Sequence, residues 1–593
     1  MKSGAFLPMT TLELNARGWD ELDVLLLSGD DYFDSPTHGV AVIGRVLEDA
    51  GYRVAIIARP DWTRPESLKA LGTPGLFVGI SAGAVDSTLN NYTADLAPRK
   101  DDVYASASSA TRRPNFATAV YCGAAKSAFP NTPIVLGGVE ASTRRFAYFD
   151  YLKKKIRRSV LVDTRADLLV FGSGEKTVLE IANRLAQNQS IDHIDGTAQL
   201  VRDIPDQGIE LPSFDAISAD ASQLVLQTQL LEAGLGPHKS NTFYQRYQEG
   251  VVQSHPPRLM TEAELDKIHG LPFLRTSHPR YLKKGMPEIP ASIPVRWSVI
   301  AQRGCPGGCS FCALGYHQGR QVISRSEKGI IEELNRLSHD TDFKGTITDI
   351  GGPTANAYGL AYKDTTRCQK CRRSSCLFPV ICSNLDVSQQ RFVHLLKTAR
   401  TLTGIKHIFI ASGIRHDLAL RNRSLIKLIA QSFTGGHLKV APEHTSETVL
   451  KQMRKPGIQL LEEFERIFQA EGREKGLEQY LVPYFIAGFP GCTRDAADST
   501  ARWLTRRHQK LQQVQNFIPL PGTMASAIYA AGIDETGNPV YIPDAAERKR
   551  QKALLLGTER PRLNRNSARR EQRDVLPGHS RQHRKGRGKK TRK

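Results

Sequence analysis

Apolar runs alternate with amphipathic stretches over residues 1–188. The run DVLLLSG at 23–29 predicts a buried strand, VAVIGRVLEDAG at 40–51 predicts a helix, and YRVAIIA at 52–58 predicts the next strand. Further strands are predicted at 75–81, 133–138 and 167–175. Strands alternating with helices are typical of a parallel sheet covered by helices. We therefore expect an α/β domain with an open, doubly wound sheet.

A second series of strands and helices is predicted over residues 295–525. Its six strand candidates are VRWSVIAQRG, GTITDIGG, PVICSNLD, HIFIASGI, HLKVAPEH and YLVPYFIAGFPG. Such a series predicts a partial (β/α)6 barrel of the TIM type, in which chemistry gathers at the C-terminal ends of the strands. Residues 189–294 predict a bridging region of short elements, and residues 526–556 a short C-terminal extension. Residues 557–593 have almost no apolar content, so we expect a disordered basic tail.

Composition and charge favour a soluble, cytoplasmic protein. The chain has 593 residues, 40% of them hydrophobic, and no stretch is typical of a signal peptide or a membrane span. The net charge of +21 is concentrated at the C-terminus, where residues 548–593 carry 18 Lys or Arg and three acids. The rest of the chain is therefore only mildly basic.

The strongest chemical signal is the loop RGCPGGCSFC, which places Cys305, Cys309 and Cys312 after a predicted strand. In a reducing compartment, clustered cysteines indicate metal ligation or redox chemistry. Structural zinc normally takes four protein ligands, whereas three cysteines on a four-iron cubane leave one iron open to another ligand. A zinc loop or a chance spacing of cysteines is the alternative.

This C-x3-C-x2-C loop resembles that of the radical S-adenosylmethionine (radical SAM) superfamily. The resemblance implies a 4Fe-4S cluster on the three cysteines whose open iron chelates S-adenosylmethionine. An electron then cleaves the sulfonium, and the 5′-deoxyadenosyl radical abstracts a substrate hydrogen. TDIGGPTAN resembles the superfamily's glycine-rich turn, which implies that Gly351 and Gly352 bind the cofactor. Pro353 replaces the acid that usually follows.

Over residues 10–556 the chain resembles the YgiQ-like family of this superfamily. The segments that carry the likeness are the cysteine loop, the second cysteine group, GGVEASTRRFAYFDYL and GNPVYIP. The resemblance implies an enzyme of unknown substrate and an electron donor such as flavodoxin or ferredoxin. Catalytic residues remain unknown.

Four polar residues follow later strand candidates, where superfamily members place cofactor contacts. Arg415 can bind a carboxylate with a two-pronged hydrogen bond, or it can form a structural ion pair. His416, Glu443 and His444 are candidate acid–base groups, or they cap and orient loops.

Four more cysteines form a second group, Cys368, Cys371, Cys376 and Cys382, between the second and third strands of this series. A structural zinc, an auxiliary iron–sulfur cluster and unligated thiols are all compatible with their spacing. The isolated Cys122 and Cys492 are expected to be small buried or free thiols.

The N-terminal sheet resembles the cobalamin-binding module that precedes many radical SAM barrels. That module carries Asp-x-His-x-x-Gly after its first strand, whereas here Asp34, His38 and Gly39 are out of register. Cobalamin is therefore not expected, and His38 is interpreted as a loop or substrate-facing residue.

The competing hypothesis is a zinc-containing nucleic-acid-binding protein without catalysis. Its basic tail would contact phosphates, which raises affinity for RNA without reading sequence. The same tail is equally compatible with a solubilising or ribosome-associated extension of an enzyme, with RNA as a candidate partner.

Overall fold

The structure is a computed structural model that describes residues 5–107, 109, 111–282, 288–511 and 513–560. The predicted disorder of the tail lies almost entirely outside the described residues. Among the described residues, no helix is long and apolar enough to cross a membrane.

The first half of the chain contains ten α-helices and thirteen strands among its described residues. The helices are α1 (Thr11–Ala16), α2 (Gly39–Asp49), α3 (Ser87–Asn91), α4 (Ala117–Ala128), α5 (Gly138–Thr143), α6 (Val160–Thr164), α7 (Glu175–Ala186), α8 (Phe214–Ala219), α9 (Ser222–Gly234) and α10 (Glu262–His269). The strands are β1 (Leu22–Ser28), β2 (Phe33–Asp34), β3 (Val54–Ala58), β4 (Pro74–Ser81), β5 (Ile134–Gly137), β6 (Tyr148–Asp150), β7 (Lys155–Arg157), β8 (Leu168–Val170), β9 (Thr197–Val201), β10 (Ile209–Glu210), β11 (Phe243–Tyr247), β12 (Gly250–Ser254) and β13 (Thr276–Ser277).

A nine-stranded sheet dominates this half, in the order β10-β11-β12-β9-β8-β5-β4-β1-β3. The five strands from β8 to β3 are parallel to their neighbours, whereas β9 runs antiparallel to β8. The chain passes from β1 to β3 on one side and then to β4 on the other, so the order reverses at β1. Such a reversal creates a crevice at the carboxyl ends of the strands.

Helices cover both faces of this sheet. Leu25 and Leu27 of β1 pack into one apolar core with α4 and α6. Val24 and Leu26 pack into the other, with α2 and α7. This alternation follows from the opposite directions of successive side chains in a strand. The prediction of an α/β protein with a large, mainly parallel sheet is confirmed.

The segment predicted as a bridging region also belongs to this sheet. Strands β9, β10, β11 and β12 all fall within it and extend the sheet on one side. The antiparallel pair β11–β12 pairs Phe243 with Ser254 and Tyr247 with Gly250. The first part of the expected bridge is therefore a continuation of the N-terminal sheet.

The second half contains eleven α-helices and eleven strands among its described residues. The helices are α11 (Leu314–His317), α12 (Glu327–Ser338), α13 (Thr365–Lys370), α14 (Gln390–Ala399), α15 (His416–Ala419), α16 (Arg423–Ser432), α17 (Glu447–Met453), α18 (Ile458–Glu474), α19 (Arg494–Arg506), α20 (Met524–Ala531) and α21 (Ala545–Leu555). The strands are β14 (Ser298–Ile300), β15 (Gln302–Arg303), β16 (Ile323–Ser324), β17 (Thr346–Ile347), β18 (Asp349–Gly351), β19 (Ala361–Tyr362), β20 (Leu385–Asp386), β21 (His407–Ile408), β22 (His437–Glu443), β23 (Tyr480–Ala487) and β24 (Gln515–Asn516).

Parallel pairing links the main strands of this half in chain order. Strand β14 pairs with β18 and β17 pairs with β21, both in parallel. An isolated parallel bridge joins Ile414 to Val440 of β22, and β22, β23 and β24 form a parallel sheet. The carboxyl ends of these strands therefore face the same side.

One buried arginine of the last helix joins the two halves of the chain. Arg548 of α21 is 4% exposed. It donates hydrogen bonds to the carbonyl oxygens of Ala94 (3.1 Å) and Phe517 (2.8 Å) and to the hydroxyl of Tyr151. Residues of both halves of the chain are thus held in one hydrogen-bonded group.

Candidate functional site

The first cysteine group lies on a loop that follows β14 and the short strand β15. Gly308 has a φ of +58°, and a Cβ there would lie 2.3 Å from the carbonyl oxygen of Ser374, so only glycine fits. The second cysteine segment holds this loop in place. The Ser375 hydroxyl donates to the Gly307 carbonyl at 2.5 Å, and the Cys376 amide donates to the Pro306 carbonyl at 3.0 Å.

The structure brings the three predicted cysteines of this loop together. Cys305, Cys309 and Cys312 line one cavity of about 360 Å³. Burial, together with the neighbouring thiols, raises the pKa of Cys305, and the same causes raise the pKa of Cys312 to about 12. A Cβ on Gly307 would lie 3.4 Å from the Cys305 sulfur and 3.7 Å from the Cys309 sulfur. The glycine therefore leaves the space beside these two sulfurs open.

Nowhere in the described part of the chain are three or more His, Cys, Asp or Glu side chains placed to hold a single metal ion. One zinc ion needs its thiolate sulfurs at about 2.3 Å from a common point, whereas each thiolate of a cubane cluster binds its own iron. This finding gives no support to a zinc site at either cysteine group.

Arg415, predicted to bind a carboxylate or form an ion pair, forms a buried ion pair within the chain. Its Nε and Nη2 atoms donate to the two carboxylate oxygens of Asp417 at 3.0 and 2.6 Å. Its Nη1 atom donates to the sulfur of Cys309 at 3.7 Å. Burial alone would raise the pKa of Asp417, but the charge and hydrogen bonds of Arg415 outweigh it and lower this pKa to about 2. A positive charge is therefore held beside the cysteine loop.

Glu443 also lines the cavity, at the carboxyl end of β22. It is buried and has a φ of +71°, a backbone conformation that costs a non-glycine residue energy. Its Oε1 atom lies 3.7 Å from the Nζ atom of Lys455. Burial raises the pKa of Glu443 despite this neighbour.

The two predicted histidines take different places. His416 lines the cavity, and its buried Nε2 atom has no hydrogen-bond partner. His444 is not among the lining residues. Its Nδ1 atom accepts from the Ser446 amide at 3.0 Å, and its Nε2 atom contacts the Cys492 sulfur at 3.3 Å. Burial lowers the pKa of each histidine to about 4, so both are neutral at pH 7.

The predicted cofactor-binding residues Gly351 and Gly352 stand just behind the cavity wall. Pro353 and Thr354 line the cavity, whereas the two glycines do not. A Cβ on Gly352 would lie 1.6 Å from the side-chain oxygen of Gln302, and one on Gly351 would lie 1.9 Å from the Ser412 hydroxyl. A side chain at either position would therefore displace Ser412 or Gln302 from its present place.

The second cysteine group forms a compact region around α13. The Asn384 side-chain amide donates to the Cys368 sulfur at 3.1 Å, and the Arg373 backbone amide donates to the Cys371 sulfur at 3.4 Å. Burial raises the pKa of Cys376 to about 11. A metal at this group stays a prediction. Cys122 and Cys492 are buried, as expected.

Sequence reasoning missed Lys455 and Asp417, which both line the cavity. A signal was present for Asp417, because an acid two residues after a candidate arginine is an available partner for it. Lys455 follows α17 and precedes Pro456, where nothing in the local pattern distinguishes it from a surface lysine.

Comparison with protein families identifies the chain. The family model described as Radical SAM N-terminal matches residues 6–298, and the one described as Radical SAM superfamily matches residues 299–504. A UPF0313 protein of Methanocella arvoryzae is 41% identical over 560 residues, covering 93% of each chain. The chain belongs to the UPF0313 family. A UPF0313 protein of Geobacter sulfurreducens is 42% identical over 561 residues, covering 93% of this chain and 92% of the relative.

Membership of this family confirms the predicted radical SAM, YgiQ-like resemblance. The protein is a radical SAM enzyme, and membership implies a 4Fe-4S cluster and S-adenosylmethionine. The alternative of a non-catalytic nucleic-acid-binding protein finds no support in these comparisons.

Two solved structures share a distant overall likeness. The radical S-adenosylmethionine methyltransferase TsrM from Kitasatospora setae, with cobalamin and a 4Fe-4S cluster bound, is 15% identical with a TM-score of 0.49, covering 91% of this chain and 89% of that one. The cobalamin-dependent S-adenosylmethionine radical enzyme OxsB is 12% identical with a TM-score of 0.46, covering 88% of this chain and 57% of that one. Likeness at this level does not carry a cofactor over to this chain.

Proposed function

We propose that Cys305, Cys309 and Cys312 each bind one iron of a 4Fe-4S cluster and that S-adenosylmethionine binds in the same cavity. The observation that carries this proposal is that all three thiols line one cavity together with Arg415 and Lys455. Three soft thiolates suit an iron–sulfur cluster and leave one iron without a protein ligand. Arg415 and Lys455 place positive charge near the thiols, although their partners Asp417 and Glu443 line the same cavity.

A cluster held by Cys305, Cys309 and Cys312 would supply the electron that cleaves S-adenosylmethionine, while the protein orients the reactants and excludes water. Phe311, Leu314 and Val440 form apolar walls of the cavity and keep water from the radical. Glu443 has a buried carboxylate with two acceptor oxygens. These oxygens can accept hydrogen bonds from the hydroxyl or amino groups of the co-substrate.

Gly351 and Gly352 allow neighbouring side chains to pack closely against the turn. Their missing side chains let Ser412 and Gln302 pack against the turn. Pro353 and Thr354 are then brought to the cavity wall, where the backbone of the turn can meet the co-substrate. The two glycines therefore shape the co-substrate pocket from behind.

The arc of parallel strands β14, β18, β21, β22, β23 and β24 supports a partial barrel.

For the N-terminal domain we propose a cobalamin-binding-like sheet that does not use cobalamin. This is supported by the sequence, in which Asp34, His38 and Gly39 are out of register with the ligand motif, and by the Asp34 carboxylate, which accepts from the Arg45 Nε at 3.1 Å. We further propose a cytoplasmic enzyme that takes electrons from a flavodoxin or ferredoxin and contacts RNA through its basic tail.

The test is an anaerobic preparation of the full chain, reconstituted with iron and sulfide and then given dithionite and S-adenosylmethionine. We expect 5′-deoxyadenosine from the wild type. Replacement of Cys305, Cys309 or Cys312 with serine should abolish this product and remove about four irons per chain. Cys122→Ser is the matched control, because Cys122 is buried in the N-terminal domain, and it should retain both. Equal iron and product in Cys309→Ser and Cys122→Ser would contradict the proposal.

A further inference from the structure

A second cavity, of about 350 Å³, lies at the carboxyl edge of the N-terminal sheet. It is lined by the ends of β1, β4, β5 and β8, which are the strands around the reversal of strand order. Small-molecule sites in open parallel sheets occupy this position, and the volume falls within their usual range of roughly 300–1,000 Å³. Leu314, two residues after Cys312, lines both this cavity and the cysteine cavity.

The deep part of this second cavity is apolar. Its walls between the sheet and helices α2 and α7 include Leu26, Val40, Phe77, Val135 and Val178. Apolar walls gain free energy when an apolar group replaces water between them. The deep part therefore suits the apolar body of a ligand.

Polar groups gather at the mouth of the second cavity. Helices α2 and α7 start there, and their N-cap residues are His38 and Gly174. Neither N-cap side chain makes a hydrogen bond to its helix. Free backbone amides at a helix start favour an oxygen acceptor. His38 is 1% exposed, and its Nε2 atom has no hydrogen-bond partner, although an Asp30 carboxylate oxygen lies 3.6 Å away. An Oε2 atom of buried Glu175 is likewise unpartnered.

The charges in this lining cancel. Arg303 and Glu175 are its charged side chains, and they form an ion pair at 2.5 Å. His317 also lines the cavity, and burial lowers its pKa to about 4, so it is neutral at pH 7. A ligand with a net charge would enter without a compensating charge, which is costly in a buried site.

We propose that this cavity binds a neutral organic molecule with an apolar body and a hydrogen-bonding oxygen. The body lies between the sheet and helices α2 and α7, and the oxygen lies at the starts of these two helices. The occupant is then separated from the cysteine cavity by the Leu314 side chain. This assignment concerns a binding site additional to that of S-adenosylmethionine and does not depend on the cluster.

The test uses the full chain and 2-naphthol, a neutral aromatic probe with one hydroxyl oxygen, followed by its fluorescence. We expect saturable binding at one site per chain. Val178→Phe fills the cavity from α7 and should weaken binding by about tenfold or more. Leu179→Phe is the matched control, because the next side chain lines a different groove, and it should bind like the wild type.

Val40→Phe fills the same cavity from α2 and repeats the test where Val178→Phe fails to fold. Excess S-adenosylmethionine should leave 2-naphthol binding unchanged. Equal binding to the wild type and to both cavity-filling variants would overturn the site. Displacement of 2-naphthol by inorganic phosphate or by hydroxocobalamin would overturn the assigned class of ligand.

Discussion

Replacing Asp417 with asparagine tests whether the buried ion pair beside the cysteine loop stabilises the protein. Asp417 and Arg415 are 6% and 8% exposed. Asp417→Asn removes the negative charge and keeps the shape and one acceptor oxygen. The Arg415 guanidinium then stays buried next to Cys309 without its counter-charge.

The structure gives the magnitude of this effect. The pKa of Asp417 is about 2 in the folded protein, and the difference from its ordinary value of 3.8 corresponds to about 2–3 kcal/mol at neutral pH. Removing one partner of a buried pair outright costs about 3–5 kcal/mol. Because asparagine keeps part of the hydrogen bonding, we expect the smaller cost for Asp417→Asn and the larger one for Arg415→Met.

The sign of the pH dependence follows from the lowered pKa. The stabilisation is fully present above the unfolded pKa of 3.8 and is lost as the pH falls through 2. The wild type should therefore lose this stability in strong acid, whereas Asp417→Asn should lack that part of the dependence.

The assay is urea unfolding of the metal-free full chain under nitrogen, followed by tryptophan fluorescence. Asp342→Asn is the matched control, because Asp342 pairs with Arg296 at 2.5 Å but is 65% exposed. An exposed pair contributes less than about 1 kcal/mol. If Asp417→Asn costs no more than Asp342→Asn, the stabilising role assigned to the buried pair is refuted.

Three further predictions concern the glycine turn, a buried histidine and the tail. Gly352→Ala should weaken S-adenosylmethionine binding by about tenfold or more, because its Cβ would meet Gln302. The measurement is equilibrium dialysis. Gly123→Ala is the control and should bind like the wild type, because a Cβ there has nothing within 4 Å. The pKa of His444 is about 4 in the folded protein and 6.5 in the unfolded chain. The free energy of unfolding should therefore fall by about 3 kcal/mol as the pH falls from 6.5 to 4. Thermal melts of His444→Gln over the same pH range should show a smaller loss of stability. Deleting residues 557–593 should leave the iron content of the protein unchanged. Loss of iron in the truncated protein would show that the tail is needed to keep the cluster.

Local patterns predicted the elements whose side chains follow one simple period. The first strand, helix and strand were predicted at 23–29, 40–51 and 52–58, and the structure has β1 at Leu22–Ser28, α2 at Gly39–Asp49 and β3 at Val54–Ala58. These elements carry apolar residues wherever they face a core. The cysteine loop was equally clear, because its chemistry is contained in eight consecutive residues.

The pair β11–β12 was missed because polar residues interrupt its apolar pattern. Gln245 is fully buried in β11, where its side chain accepts from the Ala147 amide at 2.8 Å and donates to the Pro212 carbonyl at 2.7 Å. A buried polar residue whose hydrogen bonds are satisfied by distant partners is stable. No local window of sequence contains those partners.

The residues that surround the cysteines could not be predicted for the same reason, because they are distant from the cysteines in sequence. Arg415 meets Cys309 across 106 residues, and Glu443 meets Lys455 only after β22 and α17 have packed. Such contacts form only when the strands and helices have packed together. Residue type and position after a strand indicated Arg415 and Glu443, but not what they contact.

The Arg548 hydrogen bonds set an order of events during synthesis. Arg548 is separated from its partner Ala94 by 454 residues, and a ribosome that adds about 5–20 residues per second needs roughly 20–90 s to cover that distance. The first half of the chain emerges long before the guanidinium that fastens it to α21. The hydrogen bonds that fasten the first half of the chain to α21 can therefore form only after Arg548 has left the ribosome.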